Sequence, residues 1–275
     1  MRSIARIPAA AALVAVILGA LAAPVFAADE ARVRVLHASP DAPAVDVQLD
    51  GQPIAALTNV PFGAISDYLK VPAGEHQVTV YPTGTTSTAV IDAAVTVEAG
   101  KSYTIAATNP VASIAPKVIV DEPAMSGGSA MIRVVHLSPD APAVDVAVDG
   151  SSPADAVVKG IAFPDATGYL ALDPGTYDLE VRVAGTADVA LQLDPIMLDA
   201  GKAYSAFAIG SAAAEPLGGN GLRVIVAVDA TALPDTSTAG PATTVFGPGA
   251  WAALAIAAIA GFALVSRRQA GVRAR

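Results

Sequence analysis

Hydrophobic and polar positions alternate with a period of two through most of the chain between residues 30 and 230, and a long apolar run stands at either end. In the first such stretch Val33, Val35 and His37 share one face; in the next, Val45, Val47 and Leu49 share a face with Asp46, Gln48 and Asp50 opposite. Period two is the signature of extended chain, because successive side chains of a strand point to opposite faces. Asp50-Gly51 then supplies a tight hairpin turn, since both residues tolerate the positive φ it needs. Further strands are predicted over 65–71, 75–81, 89–97, 101–108 and 116–121, punctuated by Pro-Ala-Gly, Pro-Thr-Gly and Glu-Ala-Gly turns. No amphipathic helical stretch competes with them. About seven short strands in about 90 residues predict an all-β, immunoglobulin-like sandwich, here without that fold's disulfide or core tryptophan.

The pattern then repeats. The run from Val35 to Val47, which includes His37, Ser39, Pro40, Asp41 and Asp46, returns from Val134 to Val146 with His136, Ser138, Pro139, Asp140 and Asp145 in the same places. Nine consecutive residues, Ser39 to Val47, are identical to Ser138 to Val146. Tyr68 matches Tyr169, Pro72-Ala73-Gly74 matches Asp173-Pro174-Gly175, and Ala99-Gly100-Lys101 with Tyr103 matches Ala200-Gly201-Lys202 with Tyr204. A period of about 100 residues is the size of an independent domain rather than of a solenoid unit. Two tandem sandwiches, 30–122 and 130–230, are expected, joined by a linker at 123–129.

The ends read as addresses. Residues 1–27 carry Arg2 and Arg6, an apolar run and the small-residue exit Val25-Phe26-Ala27, the layout of a secretory signal peptide. Residues 245–266 form an almost wholly apolar segment, and Arg267, Arg268, Arg273 and Arg275 crowd the 267–275 tail. At 1.5 Å per residue such a run just crosses a hydrocarbon core of about 30 Å, and the arginines hold the tail on the cytoplasmic side. Between the repeats and this span, in the 231–244 segment, lies Leu233-Pro234-Asp235-Thr236-Ser237. With the span and basic tail behind it, this motif resembles a sortase sorting signal, Leu-Pro-x-Thr-Gly. The resemblance implies attack of a sortase cysteine on the Thr236 carbonyl and transfer to the cell wall. Ser237 replaces the usual glycine, and a juxtamembrane linker before a permanent helical anchor is the alternative. Either way the repeats are expected on the cell surface.

The unit Val-x-Val-x-His-x-Ser-Pro-Asp-Ala-Pro-Ala-Val-Asp-Val, followed by Asp-Gly and later by Pro-Ala-Gly or Asp-Pro-Gly, resembles the bacterial secreted domain family DUF4397. Both repeats carry it, so the resemblance covers most of residues 31–230. It implies an extracytoplasmic β-sandwich and supplies no catalytic residue.

Composition narrows the chemistry. The 275 residues include no cysteine, which excludes disulfides, thiolate metal sites and a cysteine nucleophile. Between Ala28 and Asp235 ten Lys or Arg stand against all 25 Asp or Glu, a net −15, which repels nucleic acid. Gly218-Gly219-Asn220-Gly221 has neither the spacing nor the following helix of a phosphate loop and reads as a connection into a strand from Leu222. His37 and His136 beside Asp41 and Asp140 could serve as ligands or general bases. With no serine elbow, HExxH or second histidine in either repeat, they are expected instead to brace the Ser-Pro-Asp turn. The aspartates invite calcium, yet Asp46 and Asp50 stand about 13 Å apart along one strand, too far to share an ion. Asp41 and Asp140 are expected in side-chain turns, Asp50 and Asp149 in hairpin turns, and Asp46 and Asp145 on the outer face, where Arg34 and Arg133 could stand opposite them as weak ion pairs. No cofactor or metal is expected. The predicted function is that of a non-enzymatic surface protein whose sandwiches act as spacer, adhesion or binding modules for an extracellular protein or carbohydrate. The alternative is a metal-dependent binder or hydrolase built on the His-x-Ser-Pro-Asp loops.

Overall fold

The computed structural model describes residues 30–125, 127–214 and 219–232. The expected signal peptide at 1–27, the Leu233–Ser237 motif, the expected membrane span at 245–266 and the basic tail lie outside the described residues. Among the described residues, no helix is long and apolar enough to cross a membrane.

The first repeat supplies β1 (Glu30–His37), β2 (Val45–Leu49), β3 (Gln52–Pro53), β4 (Leu69–Pro72), β5 (Gly74–Pro82), β6 (Ile91–Val97), β7 (Ser102–Thr108) and β8 (Ala115–Val120). They form two four-stranded sheets of order β4-β1-β7-β8 and β3-β2-β5-β6. All neighbours are antiparallel except β1 and β7, which run parallel. Between the sheets Val33, Val45, Val47, Val78, Val80, Ile91 and Ile105 close a core rich in β-branched residues, the side chains that best suit a half-buried pleated surface. Asp50 and Gly51 both have positive φ, 51° and 75°, at the turn between β2 and β3.

The second repeat supplies β9 (Ala130–His136), β10 (Val144–Val148), β11 (Val158–Ile161), β12 (Leu170–Leu172), β13 (Gly175–Tyr177), β14 (Leu179–Val183), β15 (Val189–Gln192), β16 (Ile196–Leu198), β17 (Lys202–Ile209) and β18 (Arg223–Thr231). Sheets of order β12-β9-β17-β18 and β11-β10-β14-β15 echo the first repeat, with β13 and β16 set off as a separate pair. The split has a local cause. Pro195 stands between β15 and β16 and cannot donate to a ladder. The described residues are thus all-β, built as β-sandwiches.

One expectation fails. Arg34 lies on β1, which pairs with β4 and β7, whereas Asp46 lies on β2, which pairs with β3 and β5; the two occupy different sheets. Arg133 on β9 and Asp145 on β10 are separated in the same way. The Ala38–Ala44 connection carries Pro40 and Pro43 and crosses between sheets instead of closing a hairpin. Asp145 points away from the core residues Val144 and Val146, as expected, but is not exposed there. It is buried and accepts the Gly160 and Gly185 amides at 2.6 and 2.8 Å.

The face of β1 opposite the sandwich core shows what the sequence pattern left open. Arg34 is 2% exposed and Leu36 fully buried, although they point away from Val33 and Val35. What covers them is the other repeat. Leu36, Ala38, Ala106 and Ile119 of the first form a single apolar cluster with Val135, Leu137, Phe207 and Ile209 of the second.

Candidate functional site: a joint and a cleft between the repeats

Two features are built from matched residues of the two repeats, and strands β1 and β9 carry both. At one end of this shared face lies a buried ionic joint. Arg34 Nε donates to Thr104 Oγ1 at 2.8 Å within its own repeat, then reaches across: Nη1 donates to the Val228 carbonyl at 3.0 Å and Nη2 to the Asp229 carboxylate. Arg133 mirrors it, with Nε donating to Ser205 Oγ at 2.7 Å, Nη1 to the Val120 carbonyl at 2.7 Å and Nη2 to Asp121. Reciprocal contacts of this kind are those of a two-fold interface. Each carboxylate is also held from its own side: Asp121 accepts from Thr104 and Tyr68 hydroxyls at 2.7 and 2.6 Å, and Asp229 from Ser205 and Tyr169 hydroxyls at 2.6 Å each. The four charges are 2–4% exposed and cancel. Burial, then the neighbouring Asp121, pushes the Tyr68 hydroxyl far above its usual range; burial and Asp229 do the same to Tyr169, so both stay protonated donors. The arginine planes also lie over aromatic rings, Arg34 at 4.7 Å from the Tyr68 centroid and Arg133 at 4.7 Å from that of Tyr169.

Past the ends of β1 and β9 the two Ser-Pro-Asp-Ala-Pro loops meet. Pro40, Asp41, Asn109 and Pro110 of the first repeat and Pro139, Asp140, Ser211, Ala214 and Asn220 of the second line one cleft of about 450 Å³. That is a volume within the range of ligand pockets. The loops are braced by their own polar groups. Asp41 accepts the Val111 amide at 2.7 Å. Asp140 accepts the Ser211 hydroxyl at 2.6 Å and the Ala212 and Ala213 amides at 2.8 and 3.2 Å. Burial works against the Asp140 charge, but these donors outweigh it and hold the carboxyl below its usual range. Ser138 Oγ donates to the Gly210 carbonyl at 2.6 Å, and Ser39 is fully buried. Gly210 has φ +101° and its α-carbon faces Gly221 so closely that a β-carbon there would lie 2.3 Å from the Gly221 carbonyl oxygen; only glycine fits.

The histidines sit beneath these loops. His37 Nε2 lies 3.0 Å from the Pro43 carbonyl and His136 Nε2 lies 3.1 Å from that of Pro142, so each ring donates into its own loop. His136 Nδ1 accepts the Ser138 amide at 3.3 Å. Burial lowers both histidine pKa values, which leaves neutral rings bonded to backbone. His76 is elsewhere: it bridges Asp50 at 2.7 Å and the Pro72 carbonyl at 2.8 Å, and the Asp50 bond raises its pKa. Asp46, half-buried, accepts the Asn59 amide at 2.7 Å, the Thr83 hydroxyl and the Gly84 amide. Among the described residues no group of three His, Asp or Glu side chains is placed to hold a metal ion.

The histidines set opposite pH slopes. For His37 and His136 the folded pKa lies below the unfolded value of about 6.5, so the unfolded chain binds more protons and stability falls as pH drops through that window. For His76 the folded pKa is raised, so its stabilisation is complete below about 6.5 and is lost as pH rises through the folded value. A His37→Gln plus His136→Gln variant leaves only His76 titrating. Denaturant midpoints measured between pH 5.5 and 7.5 are expected to change their slope with pH from rising to falling.

The joint was not legible in the conserved-looking loop motif. Its signal is a shorter one, Val118-Ile119-Val120-Asp121 and Val226-Ala227-Val228-Asp229, which closes each repeat with the same acid.

The family comparison agrees with two tandem units. The family described as domain of unknown function DUF4397 matches residues 31–147 and 130–240, and the chain belongs to that family. No curated protein matches. Among solved structures, a family 26 carbohydrate-binding module of Eubacterium rectale Amy13K, in complex with maltoheptaose, is 10% identical with a TM-score of 0.23, covering 75% of this chain and 98% of its own. A candidate cell adhesion protein of Bacteroides eggerthii is 11% identical with a TM-score of 0.20, covering 74% and 96%.

Proposed function

We propose that the chain is a non-enzymatic binding module displayed on the cell surface, exported by residues 1–27 and held by the 245–266 span or by sortase transfer at Thr236, and that it recognises an extracellular protein at the cleft between its paired loops. The observation that carries this reading is the convergence of both repeated loops on one cleft, with Asp41, Asp140 and the Nε2 atoms of His37 and His136 all engaged in holding loop shape. A general base must reach the proton it takes, and His37 and His136 are buried, 0% and 1% exposed, with Nε2 directed at backbone carbonyls. A protein partner is favoured over a carbohydrate because a sugar ring stacks on an exposed aromatic face, and none of the described aromatic side chains is exposed. The body's net −15 favours a basic partner surface.

Cells displaying the full chain are tested on arrays of purified extracellular proteins and of polysaccharides. Retention is expected on basic protein spots and is expected to be lost in Ala214→Trp, which fills the cleft. Retention confined to polysaccharide, or unchanged by Ala214→Trp, overturns the reading. A calorimetric titration with calcium and zinc separates the metal-dependent alternative: saturable heat abolished by Asp41→Ala plus Asp140→Ala would replace it.

A further inference from the structure

The joint between the repeats has a polar part and an apolar part, and they differ in symmetry. The polar residues match in kind: Arg34 with Arg133, Asp121 with Asp229, Tyr68 with Tyr169, Thr104 with Ser205. By themselves they would join two first repeats, or two second repeats, as readily as one of each. The apolar residues do not match. The registers Leu36↔Ala106 and Val135↔Phe207 make Ala106 and Phe207 equivalent positions, and both lie in the shared cluster. The registers Thr104↔Ile119 and Ser205↔Ala227 likewise match Ile119 with Ala227. Ala38, two residues after Leu36, matches Leu137, two after Val135, and both are fully buried. Where one repeat is large the other is small, and the advantage alternates: the second carries the bulk at Phe207 and Leu137, the first at Ile119 and Leu36.

We infer that this apolar surface is an address, which accepts a first repeat against a second and rejects like against like, so that two chains can associate through it only by reciprocal exchange. Two first repeats would set Ala106 and Ala38 where Phe207 and Leu137 now fill the space, and cavities of that size are destabilising. Two second repeats would bring both Phe207 rings and both Leu137 side chains into one close-packed layer, and overpacking is destabilising too. The arginine–aspartate reciprocity supplies affinity in every pairing, while the steric mismatch supplies the choice. This goes beyond the proposed function and stands whether or not the cleft binds a protein.

The test uses the full chain in detergent with a protease site placed in the 123–129 linker. Two preparations, one bearing an affinity tag on the first repeat, are cut, mixed, unfolded, refolded together and captured. The tagged first repeat is expected to bring down second repeat in equal amount, with untagged first repeat at least about tenfold rarer, a ratio worth roughly 1.4 kcal/mol of discrimination. Capture of untagged first repeat in comparable amount, or of tagged first repeat alone, overturns the inference. A second arm needs no refolding. In the chain cut while folded, the halves are expected to co-elute on size exclusion, and Ala106→Phe, which gives the first repeat the bulk of the second, is expected to separate them. Co-elution undisturbed by Ala106→Phe contradicts the steric basis.

Discussion

Arg133→Ala is expected to lower the unfolding free energy by about 3–5 kcal/mol, the cost of leaving a buried charge without its partner. The guanidinium spans four groups, Ser205, the Val120 carbonyl, Asp121 and, at 4.0 Å, Asp229, and its loss leaves Asp121 facing only hydroxyl donors and a more distant Arg34 at 3.8 Å. Arg133→Lys keeps the charge but not the planar fork, so it is expected to recover only part of the loss. Because the penalty is that of an orphaned carboxylate, adding Asp121→Ala to Arg133→Ala is expected to cost less than the sum of the two single changes. Guanidinium melts of the four chains measure this directly, and additive losses would mean that the pair does not interact.

Phe207→Ala is expected to cost about 3–5 kcal/mol for a different reason, the removal of the largest fully buried side chain among the described residues. Its ring lies 5.6 Å from the Arg34 guanidinium carbon and packs among residues of both repeats. The cavity therefore opens in the joint rather than in either sandwich core. The melting curve distinguishes the two locations: loss of the joint is expected to split one cooperative transition into two, whereas a core cavity would shift a single transition intact.

Much of the fold was legible in the sequence because each sandwich is specified locally. The alternation of Val33 with Val35 and of Val45 with Val47, the Asp50-Gly51 turn and the proline and glycine punctuation depend on neighbours within a few residues, and the strands fall where those signals put them. The failure at Arg34 and Asp46 is of another kind. Alternation assigns a residue to a face but not to a partner, and an inward-outward pattern reads the same whether the outer face meets water or another domain. Arg34 looked like a surface cation. Only the pairing of β1 with β7 rather than β2, together with burial of Leu36 beside it, reveals a face covered by the second repeat. The Ser-Pro-Asp-Ala-Pro loop could be picked out from its repetition, but its meeting with its copy across one cleft depends on the joint. No local pattern encodes that meeting.

The central claim is that the reciprocal Arg34–Asp229 and Arg133–Asp121 contacts lock the two repeats into one rigid body. The chain has no native cysteine, so Thr86→Cys and Ala187→Cys, both exposed, give one spin label on each repeat and none elsewhere. Pulsed dipolar spectroscopy on this pair is expected to return a single narrow distance distribution that broadens when Arg133→Ala is added. A distribution already broad before Arg133→Ala is introduced, and indifferent to it, would show two domains moving independently on a linker and would contradict the claim.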